Sequence, residues 1–230
     1  MIPLKDGGSL RIRGSVDRVD VLEQDGQQFV RVVDYKSGAK AFRLADIVNG
    51  LNLQMFLYLF NVCADGSNPY AGVPAGVLYM HAARSVMTVE TKSSAEKDIA
   101  GQEDKAFGMN GIVITNPDCD IPAAMEHDLA GKYIPVRLKK SGVGGSLASL
   151  EQLGLLQRKI EALVADMGNA LQNGQIGQRP VQAKDHDKTC EYCDFASVCA
   201  FKKSVTPRTY DDQTDSAVLA ELEKEGESHA

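Results

Sequence analysis

The sequence predicts an α/β domain, a short mixed sheet flanked by helices and ending in a C-terminal cysteine-rich appendage. Three observations carry this. Two strand-like stretches, residues 10–23 and 29–35, flank Gln24-Asp25-Gly26-Gln27, whose Asp-Gly core favours a tight hairpin turn. Helical patterns follow at residues 51–62 and from about 146 to 173. Cys190, Cys193 and Cys199 then crowd into a C-x2-C-x5-C segment.

Taken in order, the first two stretches make an antiparallel pair. On the second strand, side chains two apart share a face, so Asp34 and Lys36 project together and Tyr35 points the other way. Asp17 lies in Gly14-Ser15-Val16-Asp17, where Gly14 leaves room for another backbone or for substrate. Residues 51–62 are apolar nearly all round, which predicts a buried helix; Gln54, Tyr58 and Asn61 form its one polar line. Ala64-Asp65-Gly66-Ser67-Asn68-Pro69 ends it in a loop. A strand is expected over 73–82 with a partner over 86–91, then a mobile polar connection over 92–110. A short strand at 112–115 and a helix over 122–129 come next. Ser141-Gly142-Val143-Gly144-Gly145-Ser146 is expected to be a flexible loop; it lacks the lysine of a phosphate-cradling loop, so ATP hydrolysis is not assigned here. Ser146 or Ser149 caps the long helix, in which Leu150, Leu153, Leu156, Ile160, Val164 and Met167 recur at helical spacing. The domain boundaries expected are 1–180 for the core, 181–208 for the cysteine segment and 209–230 for an acidic tail that is either a terminal helix or disordered, its composition favouring fraying.

At 230 residues and 43% hydrophobic content the chain suits one domain with a sizeable core, and no apolar run reaches membrane-spanning length. The net charge is −6, but residues 211–227 hold seven acidic residues against one lysine. The remainder is near neutral, with local basic groups at Arg11, Arg13, Lys139-Lys140 and Lys202-Lys203, which excludes a uniformly basic nucleic-acid coat.

The chemistry concentrates at Asp17, Asp34 and Lys36. Phosphodiester hydrolysis uses hard oxygen ligands for Mg2+, a cation that keeps several waters and takes one or two protein carboxylates. Asp17 and Asp34 suit that task. Lys36 then orients or activates water, or stabilises charge in the transition state. The competing reading is a solvated strand bearing an ordinary Asp-Lys pair, and the apolar neighbours Val30, Val32 and Val33 argue against it. Gln54 and Tyr58 either orient the strand carboxylates, the lysine or a phosphate, or satisfy each other. The three clustered thiols suit Zn2+, an iron–sulfur cluster or a redox pair, and His186 would complete a Cys3His zinc site. Cys63 and Cys119 read as a core and a loop residue. Clustered cysteines without a signal peptide fit a reducing cytoplasm.

Gly14-x-x-Asp17-Arg18-Val19-Asp20, Asp34-Tyr35-Lys36-Ser37-Gly38, Leu53-Gln54-Met55-Phe56-Leu57-Tyr58 and the terminal cysteines together resemble the RecB-type nucleases of the PD-(D/E)xK superfamily. Within it, the likeness is to AddB-type nuclease domains of bacterial AddAB helicase–nucleases. Residues 74–79 and 108–113 also resemble segments between their motifs, so the likeness covers nearly the whole chain.

The resemblance implies a restriction-endonuclease-like core and Mg2+-dependent DNA hydrolysis. Asp17 and Asp34 would be metal ligands, Lys36 catalytic, and Gln54 and Tyr58 the active-site helix pair. Cys190, Cys193 and Cys199 would be three of four ligands to a [4Fe-4S] cluster. The partners implied are DNA ends and single strands and an AddA-type helicase–nuclease subunit, in double-strand-end processing for recombinational repair. In the family the fourth cysteine and a helix with a further metal-binding Glu or His precede the first strand, so the chain is expected to be a truncated piece. The alternatives are a stand-alone CRISPR-associated RecB-like nuclease and a non-catalytic DNA-end or subunit-docking module.

Overall fold

The computed structural model describes residues 1–38, 40–64, 66–82, 107–175, 177–184, 190, 193–199 and 207–228. In chain order the elements are β1 (Ile2–Pro3), β2 (Ser9–Leu10), β3 (Arg18–Gln24), β4 (Gln27–Lys36), α1 (Leu44–Val48), α2 (Gln54–Ala64), β5 (Val73–His81), β6 (Asn110–Thr115) and α3 (Ile121–Met125). There follow β7 (Val136–Lys139), β8 (Gly142–Gly145), β9 (Leu147–Ser149), α4 (Leu150–Gln172), β10 (Val181–Ala183), α5 (Ala196–Cys199), β11 (Arg208–Tyr210) and α6 (Asp215–Ser228). The chain divides into two compact units. No described helix is long and apolar enough to cross a membrane.

The sheet-bearing unit comprises residues 14–42 and 54–154. Its five strands run in the order β3-β4-β5-β6-β9, with β4–β5 and β6–β9 parallel and the other neighbours antiparallel. This is the mixed α/β architecture the pattern predicts. The β3–β4 turn has positive φ at both central residues, Asp25 (51°) and Gly26 (78°), the conformation that matches the twist of a two-residue hairpin. Val30, Val32, Val33 and Asp34 are buried, as befits a strand covered on both faces. Phe29, Val33, Leu78, Val113, Ile121, Leu129 and Ile134 form the core on one face. On the other, Phe42 packs against Phe56 of α2 and Tyr79 of β5. At Gly111 a β-carbon would lie 2.0 Å from the Val77 carbonyl oxygen, so β5 and β6 need glycine there.

Several expectations change. The strand expected over 10–23 is β3 and starts at Arg18, because the Asp17 carboxylate takes the Tyr35 N–H that a longer ladder would use; Leu10 belongs instead to β2, paired with β1. The second helix starts at Gln54, not Leu51, after the left-handed turn at Asn52 (φ 56°). The helix expected over 122–129 stops at Met125, since Glu126 turns away to bury its carboxylate against the N–H groups of Lys132, Tyr133 and Ile134. The expected glycine-rich loop is instead strand β8, paired with β7 around a Lys140-Ser141 turn. The strand expected at 86–91 and the connection as far as residue 106 lie outside the described residues. Ser149 caps α4: its hydroxyl accepts the Gln152 N–H (3.1 Å) and the Gln152 side chain accepts the Ser149 N–H (2.8 Å).

The second unit comprises residues 1–13, 43–53 and 155–230. Its hub is Asp46 on α1, buried and bound by the Tyr210 hydroxyl (2.6 Å), Asn52 (3.0 Å) and the Arg43 guanidinium (3.0 Å). Burial first, and then the Asp46 carboxylate, push the Tyr210 phenol well above its ordinary value. The acidic tail forms helix α6, burying Val218, Leu219 and Leu222, with Asp215 at its start accepting the Leu44 N–H (2.8 Å). Composition inclines it to disorder; an apolar stripe and that tertiary hydrogen bond order it. The described residues of the cysteine segment also fall within this unit.

Candidate active site

β4 alternates as its sequence requires. Asp34 is buried, Lys36 half-buried and on the same face, and Tyr35 is exposed on the other, where its hydroxyl accepts from Arg18 (3.4 Å). The Lys36 ammonium lies 2.5 Å from Asp34 Oδ2. That oxygen is buried and has no hydrogen bond of good geometry, so the Lys36 charge is its compensation. The ammonium also stands 5.6 Å from the centroid of the Tyr79 ring, a cation–π neighbour that no sequence motif pointed to. Tyr79 is reached because β5 runs parallel to β4, with Tyr79 in register beside Asp34.

Asp17 enters from the neighbouring strand. The β3–β4 register ends with Arg18 opposite Val33, and Asp17 is the residue just beyond it, at the end of β4 that carries Asp34. It is exposed, and its Oδ2 accepts the Tyr35 N–H at 3.0 Å. Asp17 thus binds the backbone of Tyr35, the residue between Asp34 and Lys36, at one end of the β3–β4 pair. Asp20, in the same sequence motif, faces away: it bridges Arg18 and Arg31, each at 2.7 Å. Burial opposes ionisation of Asp20, but the two guanidinium hydrogen bonds outweigh it and hold its carboxyl below the usual range.

Of the polar line on α2, Gln54 donates to the Tyr58 hydroxyl (2.9 Å), while Asn61 is exposed. The space beside Gly14 is filled by Tyr58, not by another backbone: a β-carbon on Gly14 would lie 2.6 Å from Tyr58 Cε1 and 2.7 Å from its hydroxyl oxygen. Motif spacing alone does not reveal this contact, because forty-four residues separate its partners.

The donor chemistry of this corner fits a divalent cation. Asp17, bound to the Tyr35 N–H, and Asp34 supply hard oxygens at one end of the hairpin, and Asp34 Oδ2 is buried without a hydrogen bond among the described residues. Among the described residues no group of three or more His, Cys, Asp or Glu side chains is gathered for a metal. Cys190, Cys193 and Cys199 are free thiols, linked locally by the Cys193 N–H to Cys190 carbonyl (3.3 Å) and Cys199 N–H to Phe195 carbonyl (2.8 Å) bonds. His186 lies outside the described residues. Cys63 is half-buried, its thiol pushed up to about 12 by burial. Cys119 is buried and donates to the Gln24 side chain (3.1 Å). Neither thiol is poised for reaction.

Comparison with known proteins identifies the family. The family model of the PD-(D/E)XK nuclease superfamily matches residues 2–200. The chain is 32% identical to an ATP-dependent helicase/deoxyribonuclease subunit from Bacillus cereus, across 96% of this chain and 20% of that protein. The proteins of the same name from Clostridium acetobutylicum (30% identity, 97% of this chain, 20% of that protein) and Oceanobacillus iheyensis (32%, 98% and 20%) are similar to it as well. The chain thus spans about a fifth of the length of the curated relatives it matches.

Proposed function

Because the chain belongs to the PD-(D/E)XK nuclease superfamily, we propose that it hydrolyses DNA phosphodiester bonds at the corner formed by Asp17, Asp34 and Lys36. The observation that carries the reading is the buried Asp34 carboxylate, whose Oδ2 has no hydrogen bond among the described residues and faces the ammonium of a lysine two residues along the same strand face. A structural ion pair on a solvated strand would leave its carboxylate in water.

Asp17 and Asp34 would hold the cation, which we take to be Mg2+. When bound, it supplies charge neutralisation at the phosphate and a more acidic water. Lys36 is held by Asp34 and Tyr79 so that its ammonium can orient the attacking water or meet charge developing on the phosphoryl oxygens. Gln54 fixes the Tyr58 hydroxyl, leaving that oxygen's proton for a phosphate or the water.

The relatives are named as subunits of an ATP-dependent helicase/deoxyribonuclease. We extend this to the present chain as the nuclease portion of a cytoplasmic complex that processes double-strand DNA ends for recombinational repair with an AddA-type subunit. Cys190, Cys193 and Cys199 are then cluster ligands for [4Fe-4S], with a fourth ligand from another segment; their C-x2-C-x5-C spacing supports this.

The test is cleavage of an end-labelled single strand with Mg2+ and with EDTA, wild type beside Lys36→Ala. Cleavage that needs Mg2+ and Lys36 is expected. No cutting by the wild type, or undiminished cutting by the variant, rejects the assignment.

A further inference from the structure

Between Asp128 and Glu151 the chain carries four cations, Lys132, Arg137, Lys139 and Lys140, and no acidic residue, in a protein of net charge −6. The fold places three of them on the β7–β8 hairpin. Register separates its faces: Arg137 lies opposite Gly144 and Lys139 opposite Gly142, whereas Leu138 lies opposite Val143. One face thus has cationic side chains along one strand and none along the other. The Lys139 ammonium leans over the bare strand, 3.3 Å from where a Gly144 β-carbon would sit. Arg137, Lys139 and Lys140 are exposed, and none pairs with a carboxylate among the described residues.

A lone two-stranded hairpin is marginal in water. This one is fastened at its base. The buried Glu126 carboxylate takes the N–H groups of Lys132 (2.8 Å), Tyr133 (3.0 Å) and Ile134 (3.1 Å). The Ser146 N–H donates to the Pro135 carbonyl (2.9 Å) and the Leu138 N–H to the Leu129 carbonyl (2.8 Å). The Tyr133 carbonyl accepts from Met109 (2.9 Å), the residue before Asn110. Asn110, Tyr79 and Asp34 form one row across β6, β5 and β4. With strands spaced near 4.8 Å, Asn110 lies about 10 Å from Asp34, and the Met109–Tyr133 anchor follows just beyond it at the candidate-site end of the sheet.

We infer that the β7–β8 hairpin is a binding surface for a single DNA strand, whose phosphates run along Arg137 and Lys139 over the side-chain-free glycine strand. The choice of DNA as the polyanion rests on the nuclease reading. A flat glycine backbone lets a phosphate chain approach closely, and the exposed Tyr133 ring beside it, with the Lys132 ammonium 5.2 Å from its centroid, offers a base a stacking surface.

The test measures Kd for a labelled oligo-dT strand in EDTA at several salt concentrations, using the 230-residue chain. Arg137→Ala/Lys139→Ala/Lys140→Ala should weaken binding about tenfold or more at low salt and reduce the log–log salt slope by about 2, three contacts at roughly 0.7 each. Lys5→Ala/Lys159→Ala/Lys224→Ala, the same charge change elsewhere, should leave the slope unaltered. Gly144→Thr should weaken binding with charge and melting temperature retained, since it fills only the bare face. A triple variant that matches wild type or the control overturns the inference and leaves the hairpin to some other occupant; so does a wild type that does not bind. Parallel Mg2+ cleavage separates the two readings. A chain that binds through the hairpin but never cuts sinks only the nuclease assignment, and one that cuts while the triple variant binds unchanged sinks only the hairpin.

Discussion

The ring edge and hydroxyl of Tyr58 occupy the volume in which Gly14 would carry a side chain, and Gln54 holds that hydroxyl from one helical turn away. Gly14→Ala must therefore displace the tip of Tyr58. Because the tip of a side chain can swing, the fold should lose little stability, while cleavage falls by about 10- to 100-fold, the scale set by misplacing an active-site group by about 1 Å. In a Tyr58→Ala background the same substitution should cost nothing further. Full activity in the single variant shows that the position of Tyr58 is immaterial.

Lys36→Ala should lower turnover by about two orders of magnitude or more while DNA affinity changes far less, the pattern of a group acting mainly in the transition state. Asp17→Ala should abolish Mg2+-dependent cleavage and leave the melting temperature close to wild type, since Asp17 is exposed and makes one backbone contact. Single-turnover kinetics and strand-binding assays distinguish the two effects.

The stability that Glu126 contributes near neutrality should fade in acid. Burial opposes its ionisation, but the N–H groups of Lys132, Tyr133, Ile134 and Gly131 outweigh that and set its carboxyl below the ordinary 4.5. A depressed carboxyl contributes stability that is present above the unfolded value and lost as pH falls through the folded one. Glu126→Gln should thus destabilise by about 2 kcal/mol near neutrality, the scale of hydrogen bonds to a charged group. The gap between the two proteins should narrow below pH 4.5. Melting curves across pH check this; a gap independent of pH removes the charge from the explanation.

The cysteine segment makes a colour prediction. If Cys190, Cys193 and Cys199 hold an iron–sulfur cluster, the protein purified without air should show visible iron–sulfur absorption that Cys190→Ser removes. Colourless protein with stoichiometric zinc, lost with Cys190→Ser, would favour a structural zinc site instead.

Local pattern determined a definite part of this protein. Alternation and an Asp-Gly turn specify the β3–β4 hairpin and put Asp34 and Lys36 on one face, and a Ser-x-x-Gln box starts α4, because these features depend on neighbours within a few residues. Four motifs in order were enough to identify the nuclease superfamily. Tertiary structure alone decided where α3 stops, since Glu126 leaves the helix for N–H groups six to eight residues ahead. It also decided that a glycine-rich segment of low strand propensity becomes β8, that an acidic tail folds as α6, and that Tyr58 rests on Gly14 and Lys36 on Tyr79. The contacts that order α6 and place Tyr58 and Lys36 join residues far apart in sequence, where periodicity does not register, whereas those of Glu126 and β8 are short-range pairings that override a weak local preference.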